Sequence, residues 1–210
     1  MQLLLLAKAP VPGRVKTRLC PPWTYEQAAV VAAAALADTI DALTATAAVA
    51  RTLVVDDELG APPPGWCLTG QRGGPLDERI AAAYRDTALP GVASLLVGMD
   101  TPQLTPAHLG HAAERLGGAD AVLGPAADGG WWLLGLRDPC AGTAVAGVPM
   151  STARTAADTV AALRGHGLSV AMTATLRDVD TVADAVAVAA ASPHGRFART
   201  VAGLAAGAAR

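Results

Sequence analysis

The sequence predicts a three-layer αβα sandwich, an α/β fold with a mainly parallel, mixed sheet covered by helices on both faces. Three observations lead there. Short continuous apolar runs alternate with longer segments whose apolar residues recur every three or four positions. Several of the apolar runs stop at Gly, Pro or Asp, as buried strands do where they meet a loop. Helix-start signals recur at Thr24, Thr105 and Thr181, each ahead of such a periodic segment.

The elements follow in order. Leu3–Ala7 reads as a buried strand ended by the restricted loop Ala9-Pro10-Val11-Pro12-Gly13. Thr24 opens a helix with a capping box closed by Gln27, and its apolar face runs through Ala28, Val31, Ala32, Ala35, Leu36, Thr39, Ile40 and Leu43. Thr52–Val55 is a second strand, stopping at Asp56 and Asp57, and a proline run leads to a short strand around Trp66-Cys67-Leu68. Leu76, Ile80, Ala83 and Tyr84 mark the next helix, and Ala93–Val97 a third buried strand. Thr105 caps a helix that carries Pro106 in its first turn, where a missing N–H costs nothing. Ala119–Leu123 and Trp131–Leu136 are strands around a Gly-rich loop, and Ser151 is expected to cap a helix ending at Gly165. Leu168–Met172 is a late strand and Thr181–Ala191 a helix boxed by Asp184. Residues 193–210 suit a last helix through Phe197, Val201 and Leu204. Strands and helices alternating in this way imply right-handed crossovers.

Length and composition narrow the class. A chain of 210 residues is expected to be a single domain, 1–210, since domains run to about 100–200 residues. Hydrophobic content is 52%, yet aromatics are only 3%, so the core rests on short Leu/Val runs with Ala letting layers approach closely. Sixteen basic residues against eighteen acidic leave a charge of -2, which gives no electrostatic footprint for nucleic acid. Cys20, Cys67 and Cys140 are odd in number and far apart, which fits neither a disulfide framework nor a zinc site. The apolar start breaks at Lys8 and lacks the basic lead of a signal peptide, and no uncharged stretch reaches about 18 residues. A cytoplasmic protein with no membrane span is the expectation.

In sheets of this type, ligands bind beyond the carboxyl ends of the strands. Three loops there stand out. The first carries Lys8, Arg14, Lys16 and Arg18 without an acidic residue among them, and Lys8 and Lys16 are the only lysines in the chain. A composition that is otherwise all arginine and keeps lysine here suggests compact point charges, and four cations at a turn suit a polyphosphate. A solvated basic loop is the plainer reading. A P-loop is rejected, because Val15 precedes Lys16 where Gly is needed and Pro10 and Pro12 remove amides.

The second loop is Gly98-Met99-Asp100-Thr101-Pro102. A carboxylate at a strand end beside a cationic loop suits Mg²⁺, which takes one or two carboxylates plus substrate phosphates. The plainer alternative makes Asp100 a turn residue. The third loop, Asp128-Gly129-Gly130 before Trp131-Trp132, has glycines that permit close ligand approach or simply a tight turn with a core Trp. Asp178 and Asp180 form a further acidic site, unless Asp180 and Thr181 only cap the following helix. His108 and His111, one turn apart without an H-E-x-x-H pattern, read as surface residues, and His166 as a helix-end cation. No G-x-S-x-G elbow and no paired Cys–His supports hydrolase chemistry.

Together the motifs Ala7–Leu19, Gly98–Leu104 and Gly124–Leu136, with Asp178-Val179-Asp180-Thr181 near the end, resemble a poorly characterised bacterial family. That family belongs to the nucleotide-diphospho-sugar transferase superfamily, has a GT-A-like fold, and is often labelled glycosyltransferase. Departures from its pattern bear on the acceptor side: Asp77 where Gly is usual, Met150 in place of Trp, and Trp131 where Tyr is common. Within the superfamily, nucleotidyltransferases use a basic loop to hold a triphosphate and a G-D-x-P-like turn for the metal. Sugar transferases more often show Asp-x-Asp.

The resemblance therefore implies an Mg²⁺- or Mn²⁺-dependent transfer of a nucleotidyl group from a triphosphate to a small phosphorylated metabolite, with release of pyrophosphate. Sugar transfer from a nucleotide-sugar and a non-catalytic nucleotide-binding module are the alternatives. It implies a nucleotide site of Ala7, Lys8, Gly13, Arg14, Lys16 and Arg18, with Gln71, Gly73 and Gly74 meeting the base. Lys16 and Arg18 would hold the leaving pyrophosphate, together with Asp100 as the catalytic set. It implies metal ligation by Asp100 with Asp128 or Asp180, and an acceptor site of Asp128, Gly129, Gly130, Ser151 and Arg154. Partners would be the nucleotide donor and a small-molecule acceptor, with no nucleic acid, and a homodimer is compatible with this reading.

Overall fold

Residues 1–56 and 59–208 are described by the computed structural model, so the strand stop at Asp57 and the last two positions of the C-terminal helix lie outside the described residues. Among the described residues, seven strands form one sheet: β1 (Gln2–Lys8), β2 (Ala50–Asp56), β3 (Cys67–Gly70), β4 (Ser94–Gly98), β5 (Ala121–Pro125), β6 (Trp131–Leu136) and β7 (Val170–Met172). Their spatial order is β3-β2-β1-β4-β6-β5-β7. Only β6 runs against its neighbours; the other pairs are parallel. Because β6 is reversed, its first residue, Trp131, lies at the edge where β1, β2, β4 and β5 end.

The described residues also form six helices, the first four packed on the sheet: α1 (Tyr25–Thr44), α2 (Leu76–Thr87), α3 (Pro106–Gly117), α4 (Thr155–Gly165), α5 (Val182–Ala191) and α6 (Arg196–Ala208). Alternation along the strands sorts the core by face. Leu3, Leu5, Leu53, Leu95 and Val97 pack against Ala32 and Leu36 of α1 and Leu109 and Leu116 of α3. Leu4, Val54, Leu96 and Leu134 pack against Ile80 and Tyr84 of α2 and Leu163 of α4. The buried Tyr84 hydroxyl donates to the Leu134 carbonyl at 2.5 Å. The layers are therefore the expected α/β/α. A 3-10 segment, Pro139–Val145, joins the second face; its Gly, Ala and Thr carry no period that sequence reasoning could use.

The capping expectations at Thr24 and Thr181 hold, each with both halves of the box formed. At Thr105 a second partner appears: His108 closes the box through Nδ1, so this histidine holds a helix end rather than idling at the surface. The expectation for Ser151 is corrected. α4 starts at Thr155, and Ser151 sits four residues earlier at φ 58°, in a turn where the Thr155 hydroxyl accepts from the Thr152 amide.

α5 and α6 add a partial outer layer over α1. Ala28, Val31 and Ala35 meet Val188 of α5 and Phe197 and Val201 of α6. Asp38 of α1 accepts from the amides of Arg196 and Phe197 at 3.0 and 2.9 Å, capping α6 from outside its own sequence. With apolar partners on two sides, α1 is rich in Ala and Val. By length and composition alone it could cross a membrane, but over half of its apolar window is buried in this core.

Candidate functional site

The carboxyl ends of β1 and β4 and the start of β6 open onto a cavity of about 480 Å³. Its walls come from the three loops singled out above, together with the segment before α5. Four cations, Lys8, Arg14, Lys16 and Arg18, and four carboxylates, Asp100, Asp128, Asp178 and Asp180, line it together. A cavity of this size takes a small organic ligand, and its mixture of apolar wall and convergent charge is that of a binding site.

The cationic loop is shaped by its own backbone. The amides of Val11 and Arg14 donate to the carbonyls of Ala9 and Val11, so they are not free to nest a phosphate as a P-loop would. Gly13 takes φ +76°, a conformation that only glycine adopts without strain. Lys16 follows at φ 49°, in the left-handed region, just before a 3-10 turn, Thr17–Leu19. This turn aims the side chain inward, where it is only 8% exposed.

Lys16 is the hub of the site. Its Nζ lies 2.7 Å from Asp100 Oδ1 and 3.3 Å from Asp180 Oδ1, and it donates to the carbonyl of Val179. Burial works against the ammonium, but Asp100 and Asp180 outweigh it and raise its pKa above the usual lysine value. Arg18 reaches Asp180 Oδ2 at 3.2 Å from a largely exposed position. Asp100 thus pairs across the loops instead of serving only its own turn. Asp180 lines the cavity, and the capping of α5 falls to Thr181 with Asp184.

Asp178 was recognised in the sequence as acidic but not placed among the metal ligands. In the fold it lines the cavity, and its Oδ1 is buried with no hydrogen-bond partner. Burial, with Asp100, Asp128 and Asp180 adding repulsion against the pull of Lys16, pushes its pKa up to about 7. The only sequence signal was the Asp-x-Asp spacing, which in an extended segment puts Asp178 and Asp180 on one side of the buried Val179. Thr101 is a second omission: it is 1% exposed, lines the cavity, and its hydroxyl has no partner.

Gln71 meets the expectation of a place in the cavity. Its Nε2 donates to the carbonyls of Ala7 and Val54 at 2.9 and 3.3 Å, which fixes the amide and leaves Oε1 buried without a partner. Ala7, Gly130 and Ser151 also line the cavity. Gly13, Gly73, Gly74, Gly129 and Arg154 do not. Gly74 gives its amide to Glu78, and Gly73 lies against the same side chain. Arg154 turns to Asp158 at 3.4 Å. Gly129 is pressed against Ala153, where a Cβ would come within 2.2 Å of the carbonyl oxygen.

Asp128 accepts from the Gly130 amide at 2.8 Å, so part of its carboxylate closes the turn. Trp132 is the core tryptophan, 1% exposed, with its indole N–H on the Ala174 carbonyl. Trp131 is only partly buried and forms cavity wall.

No group of three or more His, Cys, Asp or Glu is assembled as a metal site among the described residues. The donors nonetheless suit a hard cation: several carboxylates converge, and Asp178 Oδ1 is buried and unmatched.

Comparison with known proteins agrees with the fold. The family profile described as "Uncharacterized protein conserved in bacteria (DUF2064)" matches residues 29–152, more than half of the chain. No curated protein matches the sequence. A solved protein from Desulfovibrio desulfuricans, provisionally described as a nucleotide-diphospho-sugar transferase, is 26% identical with a TM-score of 0.83, over 99% of this chain and 95% of that one. A Mycobacterium tuberculosis protein, Rv0371c, solved in complex with manganese, is 15% identical with a TM-score of 0.51, over 87% and 95%. The 2-C-methyl-D-erythritol 4-phosphate cytidylyltransferase of Thermus thermophilus is 13% identical with a TM-score of 0.51, over 80% and 87%. The last two likenesses bear on the fold alone. That fold is the one shared by nucleotide-diphospho-sugar transferases and nucleotidyltransferases.

Proposed function

The chain belongs to this bacterial family, and from that premise we propose that it is a divalent-metal-dependent nucleotidyltransferase. It moves a nucleotidyl group from a nucleoside triphosphate to a small phosphorylated metabolite and releases pyrophosphate. The observation that carries this reading is one cavity that gathers Lys8, Arg14, Lys16 and Arg18 together with Asp100, Asp178 and Asp180. Four cations match a polyphosphate, and the carboxylates among them are donors that would suit a divalent cation.

The chemistry is positioning and charge neutralisation. An oxygen of the acceptor attacks the α-phosphorus in line, the bond from that phosphorus to the β-phosphate oxygen breaks, and pyrophosphate carries away the charge. Lys16 and Arg18 hold the β- and γ-phosphates, with Arg14 and Lys8 at the rim. Gln71 Oε1 accepts an N–H from the base. Asp100, Asp180 and Asp178, with Asp128 close by, would hold Mg²⁺ or Mn²⁺, which would supply positive charge to the phosphates. The acceptor lies toward Asp128, Gly130 and Ser151, where Trp131 forms the wall.

A second reading is sugar transfer from a nucleotide-sugar, favoured by the description of the Desulfovibrio protein. The two differ in leaving group. Purified protein is incubated with Mg²⁺, pooled phosphorylated metabolites and either donor class, and the products are resolved by mass spectrometry. Pyrophosphate from a triphosphate supports nucleotidyl transfer; nucleoside diphosphate released only from nucleotide-sugars overturns it.

A further inference from the structure

The oxygens around Lys16 Nζ make a cation site already filled by the protein itself. Asp100 Oδ1 at 2.7 Å, Asp180 Oδ1 at 3.3 Å and the Val179 carbonyl converge on one point. Two carboxylates and a carbonyl are hard donors of the type a divalent cation takes. An ammonium has three N–H bonds, and these three oxygens use them all. Asp178 Oδ1 and the Thr101 hydroxyl remain buried without partners, on residues that line the same cavity. A cation with six ligands has places for more oxygens than an ammonium can serve.

We infer that Lys16 is an internal competitor of the divalent cation: its ammonium occupies the carboxylate cradle in the free protein and leaves for the phosphates of the incoming nucleotide, so that metal binds with nucleotide rather than before it. The inference rests on the nucleotide-transferase reading and adds an order of binding to it. Two cations within about 3 Å of each other repel strongly in a site screened from water, so the cradle holds one or the other. The move needs no strand to shift. Lys16 stands on a loop between Gly13 and the Thr17–Leu19 turn, and its four-carbon stem is flexible. The same cavity contains both ends of the swing, since Lys16 lines it together with Arg14 and Arg18.

The test is Mn²⁺ binding without nucleotide, followed by electron paramagnetic resonance, in wild type, Lys16→Met and Lys8→Met. Methionine keeps the apolar stem. Lys8→Met removes one charge from the cavity without emptying the cradle. Lys16→Met should bind Mn²⁺ at least about tenfold tighter than wild type, and Lys8→Met within about threefold of it. Equal affinity of the two variants overturns the competition.

A second measurement needs no variant. With only two lysines in the chain, reductive methylation read by mass spectrometry reports Lys16 directly. Lys16 should react slowly in metal-free protein and at least about fivefold faster at saturating Mg²⁺. Protection that is unchanged by Mg²⁺ overturns the proposal. Metal-free titration with a nucleoside triphosphate separates the two readings. Lost triphosphate affinity in Lys16→Met without a gain in Mn²⁺ affinity overturns the competition and leaves the transferase. A gain in Mn²⁺ affinity with triphosphate affinity intact supports the competition and overturns the role of this loop in nucleotide binding.

Discussion

The amide of Val179 donates to the carbonyl of Asp100 at 2.9 Å, tying the segment before α5 to the loop after β4. With the bonds between Leu176 and the β5–β6 loop and from Gln103 to the Arg177 carbonyl, this backbone bond holds Asp178 and Asp180 at the cavity from the far end of the chain. Val179 itself is 1% exposed and anchors the segment in the layer between α1 and α6.

On the proposed reading, Lys16→Ala removes a charge-assisted contact to phosphate worth about 1.5–3 kcal/mol. In metal-free buffer, calorimetric titration should show triphosphate binding at least about tenfold weaker, with an unchanged circular dichroism spectrum. Unaltered affinity would make the loop no more than solvated surface.

Asp100→Asn keeps the shape of the side chain and loses the charge that, on the proposed reading, holds a divalent cation. The thermal shift given by Mg²⁺ with nucleotide should shrink to that of nucleotide alone, because stabilisation by a ligand follows its affinity for the folded state. A full shift in the variant would move the metal to Asp178 and Asp180 without Asp100.

Asp178 supplies a pH dependence of definite sign. Its carboxyl titrates at about 7 in the fold, against about 4 in an unfolded chain. Between those values the folded state keeps the proton and the unfolded state does not, so metal-free protein loses stability as pH rises from about 4 to 7. Asp178→Asn should flatten that slope and be more stable at pH 8 by about 1–4 kcal/mol. Urea denaturation at pH 5 and pH 8 in chelator measures both, and parallel slopes in variant and wild type would refute it.

Gly129→Ala should destabilise the fold by about 2 kcal/mol or more, since a side chain must take φ +93° and collide with the Ala153 carbonyl. The same change pulls on the Gly129 carbonyl, which accepts from the Ala156 amide at 2.9 Å and ties the β5–β6 loop to the start of α4. A melting temperature equal to wild type would mean that the loop relaxes at no cost.

Local signals carried the sequence reading as far as local chemistry reaches. Thr24 with Gln27 and Thr181 with Asp184 are capping boxes that need only four residues to form. The apolar runs of β1, β2 and β4 could not be anything but buried strands. Direction was out of reach: nothing inside Trp131–Leu136 tells that it runs against β4 and β5, because that depends on its partners. Ser151 fits a helix cap by type, yet the turn built around Thr152 and Thr155 starts the helix later. The cationic loop and Asp100 were legible because the chain's two lysines fall within one stretch of nine residues and Asp100 follows a continuous apolar run. Arg154, Gly73, Gly74 and Gly129 were less legible, since a motif names residues without saying which of them turn away from the cavity.

The cover that α5 and α6 place over α1 has a bearing on biosynthesis. A ribosome makes β1, the cationic loop and α1 long before it makes Asp178, Asp180 and the helices that follow them. Until that last portion emerges, Val31 and Ala35 on α1 face water, and Lys16 has only one of its two carboxylate partners. Nascent chains stalled before Asp178 would therefore expose an apolar stripe to chaperones while lacking much of the acidic wall, so burial of the stripe and completion of that wall arrive together.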